Sequence, residues 1–163
     1  MKTVKKSDEK TNAIRLLSQK GVDFKVYSNL STEAVSGPEI AALLNEDPNR
    51  VFKTLVTAGK SGQYYVFMVP VNLELDLKKA ARAVGEKSVS MIKSKELLPL
   101  TGYIHGGCSP IGMKKQFKTV AHTSAADFEQ IFFSGGKIGI QIEMSLDALK
   151  NIVPIELADI CED

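Results

Sequence analysis

Two apolar runs joined by a glycine-bounded turn constrain this chain more than any other feature. Val51–Ala58 is rich in β-branched residues, Gly59-Lys-Ser-Gly62 has the composition of a hairpin turn, and Tyr64–Val69 reads as the partner strand. Side chains alternate across a strand, so Lys53 shares a face with Val51, Leu55 and Thr57, while Phe52, Thr54 and Val56 take the other. Both faces are largely apolar, so the hairpin must be covered on both sides. The chain of 163 residues is long enough to supply that cover, because a chain this size buries roughly 70% of the surface it exposes unfolded. It reads as one domain over residues 1–163.

The flanking segments are short. Ala13, Ile14, Leu16 and Leu17 make a helical stripe between about Ser7 and Lys20, with Gly21 to end it. Phe24, Val26 and Tyr27 predict a strand. Ser36-Gly-Pro-Glu39 is a capping box with proline at an early helical position. Asp76 can cap a helix to Val84 closed by Gly85, Ser88–Ile92 reads as a strand, and Ser94–Leu98 reads as one turn broken at Pro99. Phe117–His122, Ile131–Phe133 and Ile138–Met144 predict strands, a short helix is expected from Ser124 and Asp127, Ser145 caps a last helix, and Pro154–Leu157 reads as an edge strand. Strands outnumber helices and tight turns link several of them. The expected fold is therefore α+β: a mixed, largely antiparallel, curved, barrel-like sheet flanked by short helices.

Charge and composition narrow the classes. The formal net charge is +2, but residues 78–118 carry +7 and residues 119–163 carry −6. The basic stretch is either a solvated lysine surface or a face for a polyanion. No run approaches the ~20 apolar residues of a membrane helix, and the charged N-terminus is not followed by the apolar core of a secretory signal. Two cysteines and two histidines, without close pair spacing, give neither a disulfide framework nor a metal pattern. A cytoplasmic protein without metal or cofactor is expected.

Three places carry possible chemistry. Lys53, on a strand covered on both sides, either snorkels to water or lines a cavity as a fixed cation. Gly106-Gly-Cys-Ser-Pro-Ile-Gly112 is either a structural turn or a loop whose N–H groups hold a carbonyl or phosphate oxygen; it lacks the Gly-Lys-Ser/Thr of a P-loop. His105, Cys108 and Ser109 lie close in sequence, but nucleophile–base pairs are defined by geometry, and a free cysteine is more often a small buried hydrophobe. Ser134-Gly-Gly-Lys137 reads as a hairpin connection, with Ser134 able to offer a hydroxyl to a pocket.

Val51-Phe-Lys-Thr-Leu55, Thr101–Gly112 and Ser134–Lys137 together resemble the YbaK/EbsC family, freestanding relatives of the editing domain inserted in bacterial prolyl-tRNA synthetases. The resemblance runs from about Ala13 to Ile160 and points within the family to Cys-tRNA(Pro) deacylases. It implies hydrolysis of the ester joining cysteine to the 3′ end of proline tRNA. The alternatives are a deacylase for another mischarged tRNA, such as Ala-tRNA(Pro), and a non-catalytic module for the acceptor end. Carried over, the family's essential lysine falls on Lys53, followed by Thr54. Its glycine-to-proline loop falls on Gly106, Gly107 and Pro110, its pocket serine on Ser134 and its pocket tyrosine on Tyr27. Val35 and Ser36 depart from better-known members, which carry an aromatic there. The position of Cys108 is often aliphatic in the family. The resemblance further implies that the substrate's own thiol attacks its carbonyl, and that tRNA recognition is borrowed by docking on prolyl-tRNA synthetase.

Overall fold

A hairpin that is apolar on both faces finds a helix on one and a second sheet with its helices on the other. The computed structural model describes residues 2–4, 10–33 and 35–163. The strands form two sheets. The first has the order β1 (Lys2–Val4), β2 (Lys25–Ser28), β8 (Gln141–Met144), β7 (Ile131–Ser134), all antiparallel. The second has the order β5 (Val89–Met91), β3 (Phe52–Gly59), β4 (Tyr64–Pro70), β6 (Lys118–His122), β9 (Ile155–Ala158). Its first two pairings are antiparallel and its last two parallel. The α+β class and the largely antiparallel, mixed pairing agree with the sequence.

Local signals act where expected. Helix α1 (Asn12–Lys20) is capped by Thr11 and closed by Gly21; the Ser7 end of the expected stripe lies outside the described residues. Ser36 and Glu39 form a reciprocal capping box at α2 (Gly37–Leu44). Asp76 caps α3 (Leu77–Val84), and Ser145 caps α5 (Leu146–Ile152).

Three expectations are corrected. Helix α4 runs through Pro99, from Ser94 to Thr101. Beyond Pro99 the Thr101 hydroxyl donates to the Leu97 carbonyl at 2.8 Å and the Gly102 N–H to that of Leu98 at 2.9 Å, so the last carbonyls keep partners. The last hairpin's second strand starts at Gln141, not Ile138. Gly139 holds a positive φ of 83°, accepts at its carbonyl from the Leu30 N–H, and lies so close to Ser31 that a Cβ would overlap the Ser31 carbonyl. Thr123–Asp127 is a 3-10 turn rather than an α-helix.

Phe67, Val69 and Val120 pack on Ala80 and Ala81 of α3. The opposite face splits between Val56 and Val66, which meet Leu97 and Tyr103, and Phe52 and Met68, which join Ile14, Phe133, Ile142 and Leu149. No helix among the described residues is long and apolar enough to cross a membrane.

Phe67 is fully buried, whereas Leu43 is 44% exposed. Urea unfolding should therefore register a loss of about 3–5 kcal/mol for Phe67→Ala and under ~0.5 kcal/mol for Leu43→Ala. Equal losses would contradict this placement of the core.

Candidate active site

The two sheets touch where Val51 bridges Phe132 in parallel. Arg50 holds this junction. Its guanidinium donates twice to the Gln130 carbonyl, at 3.1 and 3.2 Å, pairs with Glu46 at 3.1 Å, and lies 5.3 Å over the Phe132 ring. Beyond the junction β7 departs from β3, and β5 takes up that edge only from Thr57. The β3 edge is therefore uncovered around Lys53 and Thr54, and a cavity of about 240 Å³ fills the gap.

Four of the residues expected at a site line this cavity: Lys53, Thr54, Gly106 and Ser134. Lys53 and Thr54 form the floor. Their side chains leave opposite faces of the sheet. The Lys53 ammonium lies 3.5 Å from Glu74, whose side chain is 74% exposed. Such a pair is worth under about 1 kcal/mol, so the cation can be redirected. The Thr54 Oγ1 is buried without a partner among the described residues.

One wall is the loop after α4. The Gly107 N–H donates to the Ile104 carbonyl at 3.0 Å, while the N–H groups of Gly106 and Cys108 have no acceptor among the described residues. The opposite wall is the β7–β8 hairpin, where Ser134 and Gln141 sit across from one another. Val35, Ser36 and Gly37, at the start of α2, close a third side. The departure from the family's aromatic thus falls on the cavity wall itself.

The remaining three expected residues do not line the cavity. Tyr27 is buried; its hydroxyl donates to Glu143 at 2.6 Å and its ring meets Phe132 at 5.7 Å. It supports the junction, since Glu143 also lies 3.7 Å from Arg50. Gly107 packs against the backbone of Lys137 and Ile138, where an added Cβ would sit 3.1 Å from main-chain atoms. Pro110 is buried in the same loop. Gly107 and Pro110 thus seat the loop rather than face the hollow. Tyr103 helps: its hydroxyl donates to the Ile111 carbonyl at 2.6 Å, and burial raises its pKa well above the ordinary value.

Cys108 lines the cavity, but burial pushes its thiol up to about 12, so the thiolate is scarce near neutral pH. His105 is exposed at the rim. Gln141, which the sequence reading missed, is 8% exposed, and its Oε1 has no partner among the described residues. The alternation Ile140-Gln-Ile-Glu-Met144 signals one buried face, and nothing local says that α2 covers the other.

A hollow lined by a lysine, a threonine and a loop whose Gly106 and Cys108 N–H groups have no acceptor among the described residues suits a small carbonyl or anionic group. Comparison with known proteins gives that class a family. The chain belongs to the aminoacyl-tRNA editing domain family, which residues 32–152 match. It is 44% identical, over 96% of both chains, to EbsC of Enterococcus faecalis, a protein named as a candidate Cys-tRNA(Pro)/Cys-tRNA(Cys) deacylase. Over 77 residues it is 30% identical to a proline–tRNA ligase of Thermosipho africanus, matching 47% of this chain and 14% of that enzyme. The fold also matches a crystal structure titled as a candidate trans-editing enzyme for prolyl-tRNA synthetase. There the TM-score is 0.83 at 24% identity, with 95% of this chain and 99% of that chain covered.

Two outcomes check this description. Tyr27→Phe should lower stability by about 1.5–3 kcal/mol, the range for a hydrogen bond to a charged group; an unchanged urea midpoint would remove the hydroxyl from the junction. Burial also raises the Cys161 pKa, to about 11. Both thiols should therefore resist alkylation at pH 7.5 in the native protein and react fully in urea. Rapid native labelling of Cys108 would contradict its placement.

Proposed function

We propose that this chain is an aminoacyl-tRNA deacylase that clears Cys-tRNA(Pro), with the cysteinyl thiol as nucleophile. One observation carries the reading: the cavity collects groups that stabilise charge and position a substrate, while its own thiol is held protonated. A free cysteinyl thiol, with a pKa near ~8.5, is partly ionised at neutral pH. The family and the named relative support the same substrate class.

The sulfur bonds to its own carbonyl carbon, and the ester C–O bond breaks. The thiol proton ends on the ribose hydroxyl of the released tRNA, and water later opens the thiolactone to cysteine. Intramolecular attack can reach effective molarities of about 10⁵ M or more, although the strained four-membered ring takes back part of that gain. The free N–H groups of Gly106 and Cys108 receive the developing oxyanion. Lys53 turns from Glu74 to the ester or terminal ribose, and Ser134 orients the acyl group.

The cavity, at about 240 Å³, is below the ~300–1,000 Å³ of drug-sized sites, which suits an acyl group and its ester with the nucleotide at the mouth. Proline and cysteine differ too little in size for a synthetase pocket to separate them well, as a methylene is worth only ~1–3 kcal/mol; a second sieve removes the error. The tRNA is held by its acceptor end, and selection of its body comes from docking on prolyl-tRNA synthetase.

Deacylation assays with Cys-, Ala- and Ser-tRNA(Pro) test the reading. Cysteine should be removed fastest, and Lys53→Ala should lower kcat/KM at least ~100-fold while leaving the urea midpoint within about 0.5 kcal/mol. Cys108→Ala should stay within about threefold of wild type. Full activity in Lys53→Ala, or a ~100-fold loss in Cys108→Ala, would overturn the assignment of roles.

A further inference from the structure

Gln141 is a cavity group that neither the proposed steps nor the fold employs. Its side chain is 8% exposed, its Oε1 is buried without a donor, and neither end of the amide makes a hydrogen bond among the described residues. A buried polar group left unpaired costs stability, and native chains keep few of them. The neighbours explain why it stays unpaired. Across β7, Ser134 accepts from the Gly136 N–H at 3.2 Å. Across β2, the Tyr27 hydroxyl is turned to Glu143. A substrate that fills the hollow is the missing partner.

We propose that Gln141 is a specificity-determining substrate contact whose amide oxygen accepts a hydrogen bond from the α-amino group of the aminoacyl ester. The inference rests on the deacylase reading. The free N–H groups of Gly106 and Cys108 stand on the loop wall and take the carbonyl oxygen. The α-amine, one carbon away, then lies toward the hairpin wall that carries Gln141 and Ser134. A thiol is a weak donor and must stay free to attack, so it is the poorer match for this acceptor. A neutral amide also binds an amine without placing a second charge beside Lys53. The amine contact fixes which way the α-carbon substituents point, and hence aims the side chain's sulfur at the carbonyl.

The test uses the full-length protein, Gln141→Leu, and two substrates: Cys-tRNA(Pro), and 3-mercaptopropionyl-tRNA(Pro), which keeps the thiol and lacks the amine. Gln141→Leu should raise KM for Cys-tRNA(Pro) about tenfold, the size of one buried hydrogen bond. It should leave the des-amino substrate unaffected. Its unfolding midpoint should equal or exceed that of wild type, because an unmade hydrogen bond has been removed, whereas a structural role would lower it. An unchanged KM for Cys-tRNA(Pro), an equal loss on both substrates, or a lowered midpoint overturns the inference. Failure of the wild-type protein to deacylate Cys-tRNA(Pro) overturns the deacylase reading instead, and this contact with it.

Discussion

Val51 and Phe132 bridge the two sheets, and the site exists because the strands part immediately afterwards. Arg50 fastens the bridge from one side through Gln130, Glu46 and the Phe132 ring. Tyr27 and Glu143 brace it from the first sheet. Past this point β3 offers an edge with no neighbouring strand among the described residues until Thr57. An exposed edge is a hazard in most proteins. Here α2, the loop after α4 and the β7–β8 hairpin enclose it, and the space between them becomes the cavity.

The enclosure also fixes the chemistry. Backbone packing between Gly107 and the Lys137–Ile138 segment sets the loop close to the hairpin, so Gly106 and Cys108 of the loop line one cavity with the Ser134 hydroxyl and the Gln141 amide of the hairpin. Thr11 adds to this: its Oγ1 donates to the Gly135 carbonyl at 2.6 Å while accepting from the Ile14 N–H at 3.1 Å, which ties the hairpin tip to α1. Behind the floor, the C-terminal tail pairs with the segment carrying Glu74 through Leu75–Cys161 and a Glu162 N–H to Glu74 carbonyl bond at 2.9 Å. The counter-ion of Lys53 is thereby held 3.5 Å from its ammonium on an exposed side chain, close enough to steady the cation and weak enough to release it.

Much of the fold was legible because its signals are local. Ser36 with Glu39, Asp76, Ser145 and the terminal glycines Gly21 and Gly85 each act within a turn of where they stand. Pro99 misled because the helix closes beyond it, through Thr101 and Gly102, which a single proline does not announce. Lys53 and Ser134 could be named, but apart from the resemblance their spacing did not bring them together, since their meeting depends on two sheets touching at one rung. Tyr27 shows the converse: the residue was legible as important, but its hydroxyl serves the junction rather than the hollow. Gln141 was invisible because an alternating strand reads as half-solvated until the helix over it is known.

The central claim is that the protein supplies shape and charge stabilisation while the misplaced amino acid supplies the nucleophile. The most direct test is mass-spectrometric analysis of the first product released while Cys-tRNA(Pro) is turned over. The account predicts a cysteine thiolactone that forms at the rate of tRNA release and then decays to cysteine. Cysteine appearing at full rate with no thiolactone preceding it, under conditions where authentic thiolactone survives long enough to be seen, would contradict it.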